Sequence, residues 1–110
     1  MSGWFQRNRH LYPDDWDDIA RAVKDAAVWR CEACDAPHGP PPHILTVDHI
    51  DHDPANCSPE NLAALCQRCH LRRQGIRPRP ATKAEAIAIL RRRAEWDRRQ
   101  LTLISDGDTQ

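Results

Sequence analysis

Cys31 and Cys34, and again Cys66 and Cys69, form two C-x-x-C pairs with 31 residues between Cys34 and Cys66. A C-x-x-C turn lets two thiolates converge on one ion, and zinc takes four soft ligands in a tetrahedron, so the pairs together predict one closed structural zinc site. Such a site leaves no position for a substrate, and its contribution is to folding. A redox dithiol is the competing reading, but two separated pairs without a thioredoxin-like βαβ pattern weigh against it. Cys57 stands apart and reads as a small loop or buried residue. The harder donors Asp48, His49, Asp51, His52, Asn61 and His70 gather around the thiols in sequence, with His70 directly after Cys69. A carboxylate and an imidazole offer a mixed oxygen and nitrogen site for a divalent ion, with positions open to water and phosphate. An imidazole of near-neutral pKa can also take a proton from water.

Two Asp-His pairs compete for that chemistry in "TVDHIDHDP". Asp48-His49 closes "HILTVDHI", a β-branched and apolar run that predicts a strand, where backbone order can hold it. Asp51-His52 falls beyond Ile50 beside Pro54, in "DHDPANCSPEN", and reads as a loop bonded to itself. The first pair is preferred. Around it, "PDDWDDIARAVKDAAVW" predicts a helix over about 14–28, with Trp16, Ile19, Val23 and Ala26 or Ala27 at helical spacing. "CEACDAPHGPPPH" predicts a knuckle and a proline-broken loop. "NLAALCQRCHLRRQG" admits two readings: a helix from residue 59, or a strand over Leu62 to Leu65 and a helix from Gln67 to near Gly75. Thr82 and Glu85, in capping-box spacing, open a helix over about 82–101 with Ile87, Leu90, Ala94 and Leu101 near one face. The tail "ISDGDTQ" is expected to fray.

Taken together, "WRCEACD", "LTVDHID" and "NLAALCQRCHLRR" resemble the HNH endonuclease family in its zinc-knuckle form, over roughly residues 29–74. The order of motifs fits, with 13 positions from Asp48 to Asn61 and 9 from Asn61 to His70. The resemblance implies an α+β fold: a small ββα-metal (His-Me finger) core of about 29–75, stapled by zinc, with N- and C-terminal helices in one domain over 1–110. It resolves the ambiguity above towards a strand followed by a helix. It also implies that Asp48 and His70 hold a catalytic divalent ion (Mg2+, Mn2+ or Ni2+), that His49 is the general base, and that Asn61 orients the base or completes the site. The third metal-facing histidine of some relatives would fall near Gln74. The expected activity is metal-dependent hydrolysis of DNA phosphodiester bonds, nicking or cutting, to a 5′ phosphate and a 3′ hydroxyl.

Charge and composition agree with such a partner. Residues 1–65 carry 5 basic and 11 acidic residues and residues 66–110 carry 11 and 5, so a net charge of zero hides halves of −6 and +6. The basic half is nearly all arginine, whose planar fork suits phosphate. Arg68, Arg72 and Arg73 beside His70, and Arg92 and Arg99 among the arginines of the last helix, are the candidate nucleic-acid contacts. For Trp96 packing is preferred to stacking on a base, and exposure is the expected state of His10, His38 and His43. Apolar residues are 40% of the chain with one Phe, one Tyr and one Met, so a thin core needs the zinc staple. No apolar run suits a bilayer or a signal peptide, and C-x-x-C thiols suit a reducing compartment, so a cytoplasmic protein is expected. A zinc-knuckle adaptor that binds nucleic acid without cutting is the main alternative. RNA as substrate, and a monomer or homodimer, stay open. So does the setting: phage packaging, a mobile element, or restriction and defence.

Overall fold

The computed structural model describes residues 9–108, with side chains through residue 100. After a 3-10 turn at Arg9–Leu11 come α1 (Trp16–Ala26), β1 (Leu45–His49), a 3-10 turn at Pro59–Asn61, β2 (Leu62–Cys66), α2 (Gln67–Gln74) and α3 (Lys83–Asp108). β1 and β2 form an antiparallel pair in which Leu45 faces Cys66 and His49 faces Leu62. The Ile50 amide donates to the Asn61 carbonyl (2.9 Å), carrying the ladder one step past β1.

Every residue of β2 is buried. A helix reading of this segment loses because the segment is covered from both sides, and a two-sided strand needs an unbroken apolar run rather than an alternating one. β1 is covered less evenly, with Thr46 and Val47 half-buried. Thr46 and Asp48 turn towards α2, where they meet His70 and Arg73, while His49 turns the other way towards Trp16 of α1. The period of two in a strand thus sends the adjacent Asp48 and His49 to opposite sides.

The free edge of β2 is closed by the knuckle. The Glu32 amide donates to the Ala64 carbonyl (2.9 Å), and the Ala64 amide donates to the Glu32 carboxylate (2.6 Å). Glu32 also pairs with Lys83 (3.1 Å), and its carbonyl accepts from Arg91 (3.1 Å), so one residue ties knuckle, sheet and α3 together. Sequence reasoning did not single it out.

The buried stripe of α3 is Ala86, Leu90 and Ala94, four residues apart, and Ile87 is only half-buried beside it. The Leu101 side chain lies outside the described ones. Thr82 caps the helix by accepting from the Glu85 amide (3.1 Å), and Glu85 reaches back to the Ala81 amide (2.9 Å), one residue earlier than the usual reciprocal bond. The helix runs on to Asp108, past its expected end near 101 and into the tail from Ile104 expected to fray. Among the described residues no helix is long and apolar enough to cross a membrane.

Candidate metal centre and catalytic residues

The four cysteines come from three places: Cys31 and Cys34 from the knuckle after α1, Cys66 from the end of β2 and Cys69 from the first turn of α2. Their sulfurs all lie within 4.8 Å of one another. Cys34 Sγ is 3.8 Å from Cys66 Sγ. A zinc tetrahedron with bonds of about 2.3 Å has edges of about 3.8 Å, so the cluster has the size of a zinc site. Its electrostatics also call for a cation. A hydrogen bond from Cys69 holds the Cys31 thiol down at about 4, burial pushes Cys34 up to about 11, and donation to Cys31 together with burial pushes Cys69 up further. Crowded thiolates repel one another, and a divalent ion is what lets four of them ionise side by side.

The donors expected to hold a second ion are unequally placed. Thr46 donates its hydroxyl to the Leu65 carbonyl (2.7 Å), so towards His70 Nδ1 (3.2 Å) it can only accept. That assigns the His70 proton to Nδ1 and leaves the Nε2 lone pair for a ligand. Asp48 is buried, and both its oxygens are taken by the Arg73 guanidinium, Oδ1 from Nη2 at 2.8 Å and Oδ2 from Nε. As arranged, Asp48 and His70 do not fit a divalent ion. Apart from the cysteines, no group of three or more His, Cys, Asp or Glu donors gathers among the described residues.

Arg73 is therefore not the surface cation expected for phosphate. It is 2% exposed, because its position one helical turn after His70 points it at β1 instead of at solvent. Its Nη1 lies 3.0 Å from His52 Nε2, so His52 bonds beyond its own loop, with its backbone in the left-handed region at φ 65. Asp51 behaves as expected, accepting from Asp53, Asn56 and Asn61 within the loop.

His49 is 8% exposed and sits against Trp16 (ring centroids 4.9 Å apart) and Tyr12 (5.7 Å), with Cys57 Sγ 3.7 Å from Nε2. Burial lowers its pKa; Asp48, Asp51, Asp53 and a bond to the Pro54 backbone oppose this only in part. The ring is neutral at neutral pH, as a base must be. Because the folded value is depressed, the unfolded chain binds the proton first on acidification. His49 therefore costs no stability above about 6.5, and stability is lost as pH falls from there towards the lowered value. Denaturant unfolding should show this loss, and His49→Phe should make it smaller; an unchanged pH slope would count against a buried neutral imidazole.

The Asn61 side chain makes its hydrogen bonds elsewhere than to His49. Its amide donates to Asp51 (2.9 Å) and to the Asn56 carbonyl (2.9 Å) and accepts from the Asp51 amide (3.1 Å), so it braces the loop that brings Pro54 and Cys57 to His49 and His52 to Arg73. Tyr12, Trp16 and Cys57 were missed as neighbours of His49, since nothing in their spacing points to residue 49.

Of the other candidate arginines, Arg68 and Arg92 are exposed, Arg99 is exposed but paired with Glu95 (2.9 Å), and Arg72 is half-buried in a pair with Asp97 (2.5 Å) that locks α2 to α3. Trp96 is 57% exposed, so it does not pack into the core as expected. His38 is exposed but accepts from the Leu45 amide (2.9 Å), and His43 is half-buried.

Residues 33–72 match a family model described as HNH endonuclease. No curated protein and no solved structure gives a match.

Proposed function

We propose, on the match of residues 33–72 to the HNH endonuclease family, a cytoplasmic DNA endonuclease, one nuclease domain over residues 1–110, that hydrolyses phosphodiester bonds with His49 as general base. The observation that carries this reading is the neutral imidazole of His49, fixed at the end of β1 by Trp16 and Tyr12. A base held in one orientation by packing loses little entropy when it takes the proton from water. Asn61 keeps the 51–56 loop in place around it. Arg68, Arg92 and Arg99 supply a surface for the phosphate backbone, with Arg72 at its edge, and binding through them weakens with salt. By the family resemblance Asp48 and His70 would hold a divalent ion, which would supply stabilisation of charge on the phosphate. Here that ion has a place only once Arg73 leaves Asp48.

The same engagement of Asp48, with the shielding of His49, favours a second reading: a zinc-knuckle adaptor that binds DNA or RNA without cutting it. Supercoiled plasmid incubated with zinc-loaded protein and Mg2+, Mn2+, Ni2+ or EDTA separates the two. Conversion to nicked or linear DNA is the expected result. Salt-sensitive DNA binding without cleavage under any of these conditions would leave the adaptor.

A further inference from the structure

Arg73 is the most deeply buried charged side chain among the described residues, and the hydrolysis proposed above gives it no role. Its surroundings are built on three sides. His70 and Arg73 are three apart on α2 and share the helix face that covers β1; Thr46 and Asp48 are two apart on β1 and share the strand face that meets it. The result is two rungs side by side, Thr46 with His70 and Asp48 with Arg73. His52 closes the third side by accepting from Nη1 at 3.0 Å.

We propose that Arg73 is the resident cation of this site: the guanidinium fills the place at Asp48 that a divalent ion would take, and excludes that ion while it remains. The fork matches a carboxylate with two parallel hydrogen bonds, so Asp48 is neutralised in charge and satisfied in geometry. An arginine does not lose its proton in a protein, so it cannot yield the site by becoming neutral; it has to move out bodily, leaving His52 and Asp48 together. A divalent ion arriving at His70 Nε2 would also meet a fixed positive charge one turn further along the same helix. Arg73 is thus a positioning residue for Asp48, and the inference rests on the nuclease reading only for the importance of that carboxylate.

The test is Mn2+ binding to the zinc-loaded full chain, read from the free-ion electron paramagnetic resonance signal and from paramagnetic broadening of the His70 ring resonances. Without DNA, where nothing draws Arg73 off Asp48, wild type should leave His70 sharp and bind no stoichiometric Mn2+. Arg73→Gln and Arg73→Met, made in parallel because one of them could misfold, should gain a single saturable site that broadens His70 and is lost when Asp48→Asn is added. Stoichiometric Mn2+ at His70 in wild type would overturn the proposal without any variant, as would a folded Arg73 variant that gains no site. Plasmid cleavage is scored separately. No cleavage by a wild type that excludes Mn2+ would sink the nuclease reading alone, and cleavage by a wild type that binds Mn2+ at His70 would sink this one alone.

Discussion

Replacing His49 by alanine is expected to lower plasmid cleavage by about 10²- to 10⁴-fold, the usual contribution of a positioned general base. Burial, the largest influence on its pKa, keeps the imidazole neutral, and Trp16 and Tyr12 fix its plane. A neighbouring histidine serves as the control. His52 is also held neutral, by burial and by Arg73, but its Nε2 accepts from a buried guanidinium that keeps its proton, whereas His49 Nε2 has only the weak thiol partner Cys57 (3.7 Å). His52→Ala should therefore keep most of the activity, while His49→Ala should lose it with zinc content and circular dichroism unchanged. The opposite pattern would move the base to His52, and equal losses in both would mean that the variants disturb the site as a whole. Trp16→Leu is informative as well: it keeps an apolar cover but removes the flat ring against His49, so a reduced rate without unfolding would identify stacking as part of the base's alignment.

Local chemistry is what the sequence displays well. Two C-x-x-C turns mark a four-thiolate metal site, because each turn by its spacing converges two thiols on one ion. "LTVDH" declares a strand by composition, and Thr82 with Glu85 declares a helix start by spacing. "LAALC" was ambiguous by periodicity because a strand buried on both faces has no polar alternation to distinguish it from helix. Side-chain partners far apart in sequence were harder. Arg73 looked like one more arginine of a basic run, yet its three-residue offset from His70 was a readable signal that it shares the face turned to β1. Nothing comparable announced Tyr12 and Trp16 beside His49, since a contact across more than 30 positions depends on how α1 docks. Glu32 was invisible for a related reason: its value lies in closing the edge of β2 and meeting Lys83, both set by the tertiary fold. Trp96 erred in the other direction, an aromatic assumed to pack that stands exposed.

Removing zinc, or one of its thiols, should have the largest effect on stability. Structural zinc in small domains contributes an apparent binding energy of about 10–16 kcal/mol at neutral pH, as much as the roughly 5–15 kcal/mol that holds a whole domain together. Here the site joins the knuckle, the end of β2 and the start of α2, the segments that carry or brace His49, Asn61 and His70. Cys66→Ser should be the most damaging single change, because Cys66 is buried where the strand passes into the helix. Such a protein should lose its zinc and its cooperative unfolding transition. Acidification should act in the same direction. The Cys34 and Cys69 thiols are pushed up by burial and by their neighbours, so zinc must displace their protons, and its affinity should fall as pH falls. A chelator should therefore unfold the chain at lower concentration in mild acid than at neutral pH, followed by circular dichroism with released zinc measured alongside. A metal-free chain that keeps its folded spectrum and unfolding temperature would show that the apolar contacts of β2, Leu90 and Trp16 suffice without the staple.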